Sequence, residues 1–168
     1  MAQQIPERDP IIIGLSFGGM LATEIARQMS VKNVILISSA RTRSEVGFRS
    51  ILYRSLNSIL PVGLFPRPYS LILYYLGADS EEEKTMLKDM LDHGNIAFTK
   101  WCIGAILGWK DAVCPGNILQ IHGTADRVIL PANVKPHHWL KDGSHIMIYN
   151  RAAEINKLIT DYLWAFAE

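Results

Sequence analysis

Three short runs in this chain, residues 10–13, 34–37 and 118–121, are apolar but for Gln120 and rich in β-branched side chains. Runs of this length, the first introduced by Pro10, read as strands buried on both faces, as in a parallel sheet. Between the first two, Leu21, Ala22, Ile25, Ala26 and Met29 recur at helical spacing, with Thr23, Glu24, Arg27 and Gln28 on the opposite side. The unit is strand, helix, strand, and a connection of that length predicts a right-handed crossover between parallel strands. A weaker fourth strand is predicted over 138–140. The last element is a helix in which Ile155, Leu158, Ile159, Tyr162, Leu163 and Phe166 form one apolar stripe suited to packing on the sheet.

From residue 41 to about 114 the pattern is helical only, broken by Pro61, Pro66, Pro68, Gly77 and Gly94. Ser80 followed by Glu83 is a capping box, which opens a helix ending near His93 with Gly94 as its C-cap. The segment is an insertion between two strands, either a lid over a ligand site or additional core. Its aromatic residues Tyr53, Phe65, Tyr69, Tyr74, Tyr75, Trp101 and Trp109 fit both, and plain packing accounts for most of them. Residues 1–168 therefore read as one α/β domain, a mostly parallel sheet with flanking helices and a helical cap over about 41–114.

Composition narrows the class of function. Apolar residues make up 49 % and charged residues 20 % of the 168, which excludes disorder and low complexity. Lys and Arg number 17 against 16 Asp and Glu, so the formal charge of +1 leaves no electrostatic footprint for nucleic acid. The longest apolar run, 71–78, is far short of a membrane span, and the N-terminus has no basic region leading into an apolar one. A cytoplasmic protein with reduced thiols at Cys102 and Cys114 is expected, since two cysteines outside any CxxC spacing make neither a disulfide framework nor a zinc site.

Chemistry enters at Gly14-Leu15-Ser16-Phe17-Gly18, which follows the first strand and opens the first helix. This is the pattern G-x-S-x-G, in which a serine sits on a tight, strained strand-to-helix turn that flanking glycines make passable. By composition alone about one chain in twenty of this size carries it; the strand before and the helix after make it far more specific. Ser16 would project at a helix N-terminus, where partial positive charge favours a developing oxyanion. An alcohol needs a basic imidazole and an orienting carboxylate to act as a nucleophile. Asp126 lies just past the third strand, in IHGTAD, and His145 lies in GSH between the fourth strand and the last helix. Asp126 is 110 residues after Ser16 and His145 is 19 after Asp126, the chain order Ser, Asp, His.

GLSFGGM, IHGTAD and GSHIMI in that order resemble the α/β-hydrolase fold family, particularly its small lid-bearing bacterial members, over essentially the whole chain. The resemblance implies a nucleophile at Ser16, a general base and acid at His145, an orienting carboxylate at Asp126 and an oxyanion donor in the backbone N–H of Phe17. It implies a serine hydrolase that cleaves an ester, thioester or amide with an apolar acyl or alcohol portion through an acyl-enzyme, with no cofactor and no metal. The departure from the family lies at the front, where several strands and a loop carrying a second oxyanion donor have no room before Pro10. A truncated hydrolase, or a reading frame started too late, is the expectation this raises. The first strand would then be a hydrophobic sheet edge able to pair with another chain into a homo-oligomer.

Other residues have plainer readings. His122, at the end of a buried strand, reads as a satisfied structural histidine, and His93 as a helix-end cation. His137 and His138 are neighbours on a strand, face opposite ways and make a poor metal pair. Asp9 precedes the first strand and Asp142 sits in a turn, so neither competes for the carboxylate role, and Cys102 reads as inert core. Arg41, Arg43, Arg49, Arg54 and Arg67, opposed only by Glu45, read as a solvated face. The alternative to an enzyme is a non-catalytic α/β-hydrolase-like chain acting as a binding module or remnant. A nucleotide-binding domain is disfavoured because GLSFGG is neither G-x-G-x-x-G nor a Walker loop.

Overall fold

Ile11–Leu15 (β1), Asn33–Ile37 (β2), Asn117–Gly123 (β3) and His138–Leu140 (β4) lie side by side in that order, every neighbouring pair parallel. They form the sheet of a computed structural model that describes residues 2–47, 68–110 and 117–165. Ile13 stands opposite Ile35, which stands opposite Leu119, and Ile121 is paired with His138. β2 is buried at every position and β3 from Leu119 onward, as continuous apolar runs in a parallel sheet require.

Two helices sandwich the sheet. Phe17–Gln28 (α1) lays Ala22 and Ala26 on Val34 and Leu36, with Ile12, Val31 and Ile118 at the margin. On the opposite face, Leu158, Ile159, Tyr162 and Leu163 of the last helix, Ala152–Trp164, cover Ile35, Ile37, Leu119 and Ile121. The small alanines of α1 let the helix approach closely, whereas the larger stripe of the last helix fills a wider gap over the centre of the sheet.

β1 departs from the reading of its apolar run as a strand buried on both faces and takes the sheet-edge position that was the other expectation for it. β1 is not buried on both faces: Ile11, Ile13 and Leu15 are 42 %, 52 % and 37 % exposed. β1 is an edge strand. Its even-numbered residue Ile12 points under α1, while its odd-numbered ones point to the face where the last helix covers β2 and β3 instead. An apolar run records that a strand is hydrophobic and carries no information about how many neighbours it has.

Between β2 and β3 the described residues carry four helices, Arg43–Val46 (α2), Tyr69–Leu76 (α3), Glu81–His93 (α4) and Ile96–Gly108 (α5). After β4 come Met147–Asn150 (α6) and the last helix, α7. Tyr53, Phe65, Arg49, Arg54, Arg67, Cys114 and Phe166 lie outside the described residues. α3 ends on Gly77 in the left-handed region (φ 76°), where glycine has no Cβ to clash. Gly94 closes α4 with extended backbone instead (φ −69°).

The capping box at Ser80 is present in both directions: Ser80 Oγ accepts from Glu83 N at 3.1 Å and Glu83 Oε2 accepts from Ser80 N at 3.0 Å. Glu83 is buried and also accepts from Asn150 Nδ2 at 2.7 Å, which ties α4 to α6. The Ser80 amide holds the Glu83 carboxyl below the usual carboxylate range. A lowered folded-state pKa contributes stability at neutral pH that is lost as pH falls through the folded value. Ser80→Ala should cost about 1 kcal/mol in urea unfolding at neutral pH. Glu83→Gln should flatten the decline of stability on acidification through the carboxylate range; an unchanged acid limb would contradict the role given to Glu83.

Candidate active site

Ser16 joins β1 to α1 with φ 50° and ψ −121°, a region that L-residues rarely enter. Its amide donates to the Ile37 carbonyl at 3.0 Å, extending the β1–β2 ladder one residue past Leu15. Its carbonyl accepts from Gly19 N at 3.0 Å and from Ser39 Oγ at 2.6 Å. Two glycines are sterically required: a Cβ on Gly14 would fall 2.4 Å from the Gly18 carbonyl oxygen, and one on Gly19 would fall 2.3 Å from Ser39 Oγ, whereas Gly18, the second glycine of the motif, has open space where a Cβ would stand. The helix can start this close to the strand only because Gly14 and Gly19 lack a side chain.

Asp126 and His145 arrive on two loops stitched together past the ends of β3 and β4. Thr124 N donates to Leu140 O at 3.0 Å, Ala125 N to Gly143 O at 3.0 Å, and Asp142 N to Thr124 Oγ1 at 2.7 Å. Gly123 and Gly143 touch backbone to backbone, so a Cβ on Gly123 would sit 2.1 Å from the Gly143 carbonyl oxygen. On the far side of His145, Ile146 packs with Leu73, Ala78 and Leu87 of the helical segment, and Ile146 N donates to Leu76 O at 3.3 Å.

The three side chains meet. Ser16 Oγ lies 2.9 Å from His145 Nε2, and His145 Nδ1 donates to Asp126 Oδ2 at 2.8 Å. The other carboxylate oxygen, Oδ1, accepts from Val128 N at 2.8 Å and Ile129 N at 2.9 Å. Asp126 and His145 are 2 % and 5 % exposed while Ser16 is half-buried, so the chain of bonds runs from the interior outward to a reachable hydroxyl. Because Nδ1 donates to the carboxylate, Nε2 is free to accept from the hydroxyl. Phe17, the first residue of α1, has an N–H with no acceptor inside its helix. Its ring meets Trp101 of α5 edge to face at 6.3 Å, and Trp101 stacks on Phe98.

A second polar network holds this arrangement, and it corrects the reading of Glu45 as part of a solvated face. Glu45 is 8 % exposed, and its carboxylate accepts from the Arg41 amide (2.8 Å) and from the Arg41 guanidinium (3.0 and 3.1 Å). Gln120 of β3, fully buried, donates through Nε2 to Glu45 Oε2 at 3.1 Å and to the Ser39 carbonyl at 2.9 Å. Ser39 in turn pins the carbonyl of Ser16. The sequence signal was present in the i, i+4 spacing of Arg41 and Glu45 and in a glutamine set inside an apolar strand. For Ser39 the sequence carries no signal.

The remaining candidates lie elsewhere. His137 Nδ1 accepts from the Gln120 amide at 3.0 Å, and burial pushes its imidazole below the usual histidine range. Burial pushes the Cys102 thiol up, the opposite of what a reactive thiolate needs. His93 stands at the C-terminus of α4 with its Nδ1 against the Asp89 carbonyl, which holds its pKa up. A cavity of about 120 Å³ runs between α1 and α5, lined among others by Phe17, Met20, Trp101, Ile106 and Trp109.

The alpha/beta hydrolase family model matches residues 2–158. No sequence among curated proteins matches the chain. Several solved structures share its fold. A thermophilic esterase from Thermogutta terrifontis with malate bound is 14 % identical, with a TM-score of 0.73 over 92 % of this chain and 64 % of that one. A meta-cleavage product hydrolase from Pseudomonas fluorescens is 18 % identical, with a TM-score of 0.61 over 93 % and 64 %. A lipase-esterase related protein from Clostridium acetobutylicum is 12 % identical, with a TM-score of 0.63 over 93 % and 67 %. The chain thus spans about two thirds of the length of each.

The glycine contact between the two loops makes a direct prediction. Gly123→Ala should drive a methyl group into the Gly143 carbonyl and lower stability by about 1–3 kcal/mol or more. Denaturant unfolding measures it, and an unchanged midpoint would contradict the closeness of the two loops.

Proposed function

The chain belongs to the alpha/beta hydrolase family, and on that premise we propose that it is a serine hydrolase that cleaves an ester, thioester or amide through an acyl-enzyme. The observation that carries this reading is the continuous chain of bonds from Ser16 Oγ through His145 to Asp126. Ser16 Oγ attacks the substrate carbonyl as His145 Nε2 takes its proton. Asp126 holds the imidazole in the tautomer that accepts at Nε2 and stabilises the imidazolium that forms. The tetrahedral oxyanion receives the N–H of Phe17 at the positive end of α1. His145 then returns the proton to the leaving group, and water, activated by the same imidazole, releases the acyl group from Ser16.

An apolar portion of the substrate fits the surroundings. Phe17, Phe98 and Trp101 form an aromatic cluster beside Ser16, with Phe98 and Trp101 61 % and 60 % exposed. The helical segment over about 41–114 acts as a cap in this reading, with α3 and α4 against Ile146 and α5 beside Phe17. The names of the similar folds, an esterase, a lipase-esterase related protein and a hydrolase of meta-cleavage products, agree with hydrolysis as the reaction.

The test is steady-state hydrolysis of p-nitrophenyl esters of increasing acyl length by the whole chain. Ser16→Ala should abolish turnover, with kcat falling on the order of 10⁵ to 10⁶, and Asp126→Asn should lower it on the order of 10⁴ with the fold intact. A folded chain with no turnover on esters, thioesters or amides would support a binding module instead. Equal rates in wild type and Ser16→Ala would remove Ser16 from the mechanism.

A further inference from the structure

His122 lies on β3 four residues before Asp126, fully buried, with its ring edge-on to Trp139, its register partner on β4, at 5.9 Å and 89°. Its Nε2 is 2.9 Å from the Ile129 carbonyl oxygen and 3.5 Å from Asp126 Oδ2. Both atoms are acceptors, so Nε2 carries a ring hydrogen. Nδ1 is buried with no partner among the described residues. The sequence reading of a satisfied structural histidine is therefore half right: one nitrogen is bonded and the other is an orphan, which costs stability that an apolar side chain of similar size would not.

What the costly residue does is visible in its partner. Ile129 bridges the two groups through the peptides on either side of it: its N–H donates to Asp126 Oδ1, and its carbonyl accepts from His122. Ile129 itself is 2 % exposed and packed with Met20, Ala40 and Val134. With Oδ1 fixed by the Val128 and Ile129 amides, the plane of the carboxylate is set, and Oδ2 is presented to His145. The His122 N–H also stands near that same Oδ2.

We propose that His122 is a positioning residue, whose Nε2–H holds the Ile129 carbonyl and so aims Asp126 Oδ2 at His145 Nδ1. The proposal rests on the reading of Ser16, His145 and Asp126 as the reacting set. It separates activity from stability. His122→Leu removes the donor and the Nδ1 orphan but strips the Ile129 carbonyl of its partner, whereas His122→Gln keeps an N–H donor at the reach of Nε2 and leaves its own amide oxygen without one.

The experiment measures unfolding, p-nitrophenyl ester kinetics and the low-field proton resonance of His145 Nδ1–H in wild type, His122→Leu and His122→Gln. The two variants should be of similar stability, each leaving one buried carbonyl oxygen unpartnered, yet kcat of the Leu variant should fall on the order of 10- to 100-fold with KM little changed. The Gln variant should recover most of kcat, and the resonance should be displaced in the Leu variant alone. A Leu variant with wild-type kcat, equal losses in both variants, or losses that follow stability would overturn the proposal. A wild-type chain that shows the resonance but hydrolyses no ester, thioester or amide overturns the hydrolase reading instead, and the resonance then decides the role of His122 by itself.

Discussion

The backbone at Ser16 holds φ 50° and ψ −121°, a conformation that costs an ordinary residue on the order of 1–3 kcal/mol and persists only where its surroundings leave no alternative. Here they leave none. The Ser16 amide is committed to Ile37, its carbonyl to Gly19 and Ser39, and the two glycines at 14 and 19 bring helix and strand to a separation that no side chain would permit. Relaxing the turn would break the first hydrogen bonds of α1, end the β1–β2 ladder early and detach Ser39. The strain exposes the hydroxyl at the point where β1 stops and α1 begins.

Everything else in the site is brought to that point by parallel pairing. Because all four strands run the same way, the loops that follow β1, β2, β3 and β4 emerge at one edge of the sheet, and the side chains of Ser16, Asp126 and His145 converge though they are far apart in sequence. The loop after β2 supplies support from below: Ser39 binds the turn, Gln120 binds Ser39, and Glu45 with Arg41 completes a buried network reaching into the helical segment. One of its polar atoms, Gln120 Oε1, is buried without a partner among the described residues, so the network is only partly satisfied. The Glu45 carboxylate accepts from both Arg41 and Gln120, which is why a charge can be buried beside β3.

Much of this was legible in the chain. Four strands, the first and last helices and the capping box at Ser80 followed from periodicity and cap chemistry, because those features are local. Ser16, Asp126 and His145 could be singled out because each sits in a short motif at a strand end, and their order along the chain is informative. What escaped was relational. The pattern Ile-Ile-Ile reads the same at the edge or the centre of a sheet, so the exposure of Ile11, Ile13 and Leu15 was expected from the family resemblance and not from the apolar run itself. Glu45 looked like surface charge because its partners Arg41 and Gln120 meet only after folding. His122 looked satisfied because sequence cannot show that one of its nitrogens has a partner and the other has none.

The proposed hydrolysis needs a hydroxyl made nucleophilic by the imidazole beside it, which a covalent reagent tests. The whole chain is treated with a fluorophosphonate, and the adduct is mapped by peptide mass spectrometry, with His145→Ala in parallel. The account predicts one adduct, on Ser16, formed orders of magnitude more slowly when His145 is absent. A folded chain that takes up no reagent, or labels elsewhere, or labels Ser16 equally well without His145, would contradict it.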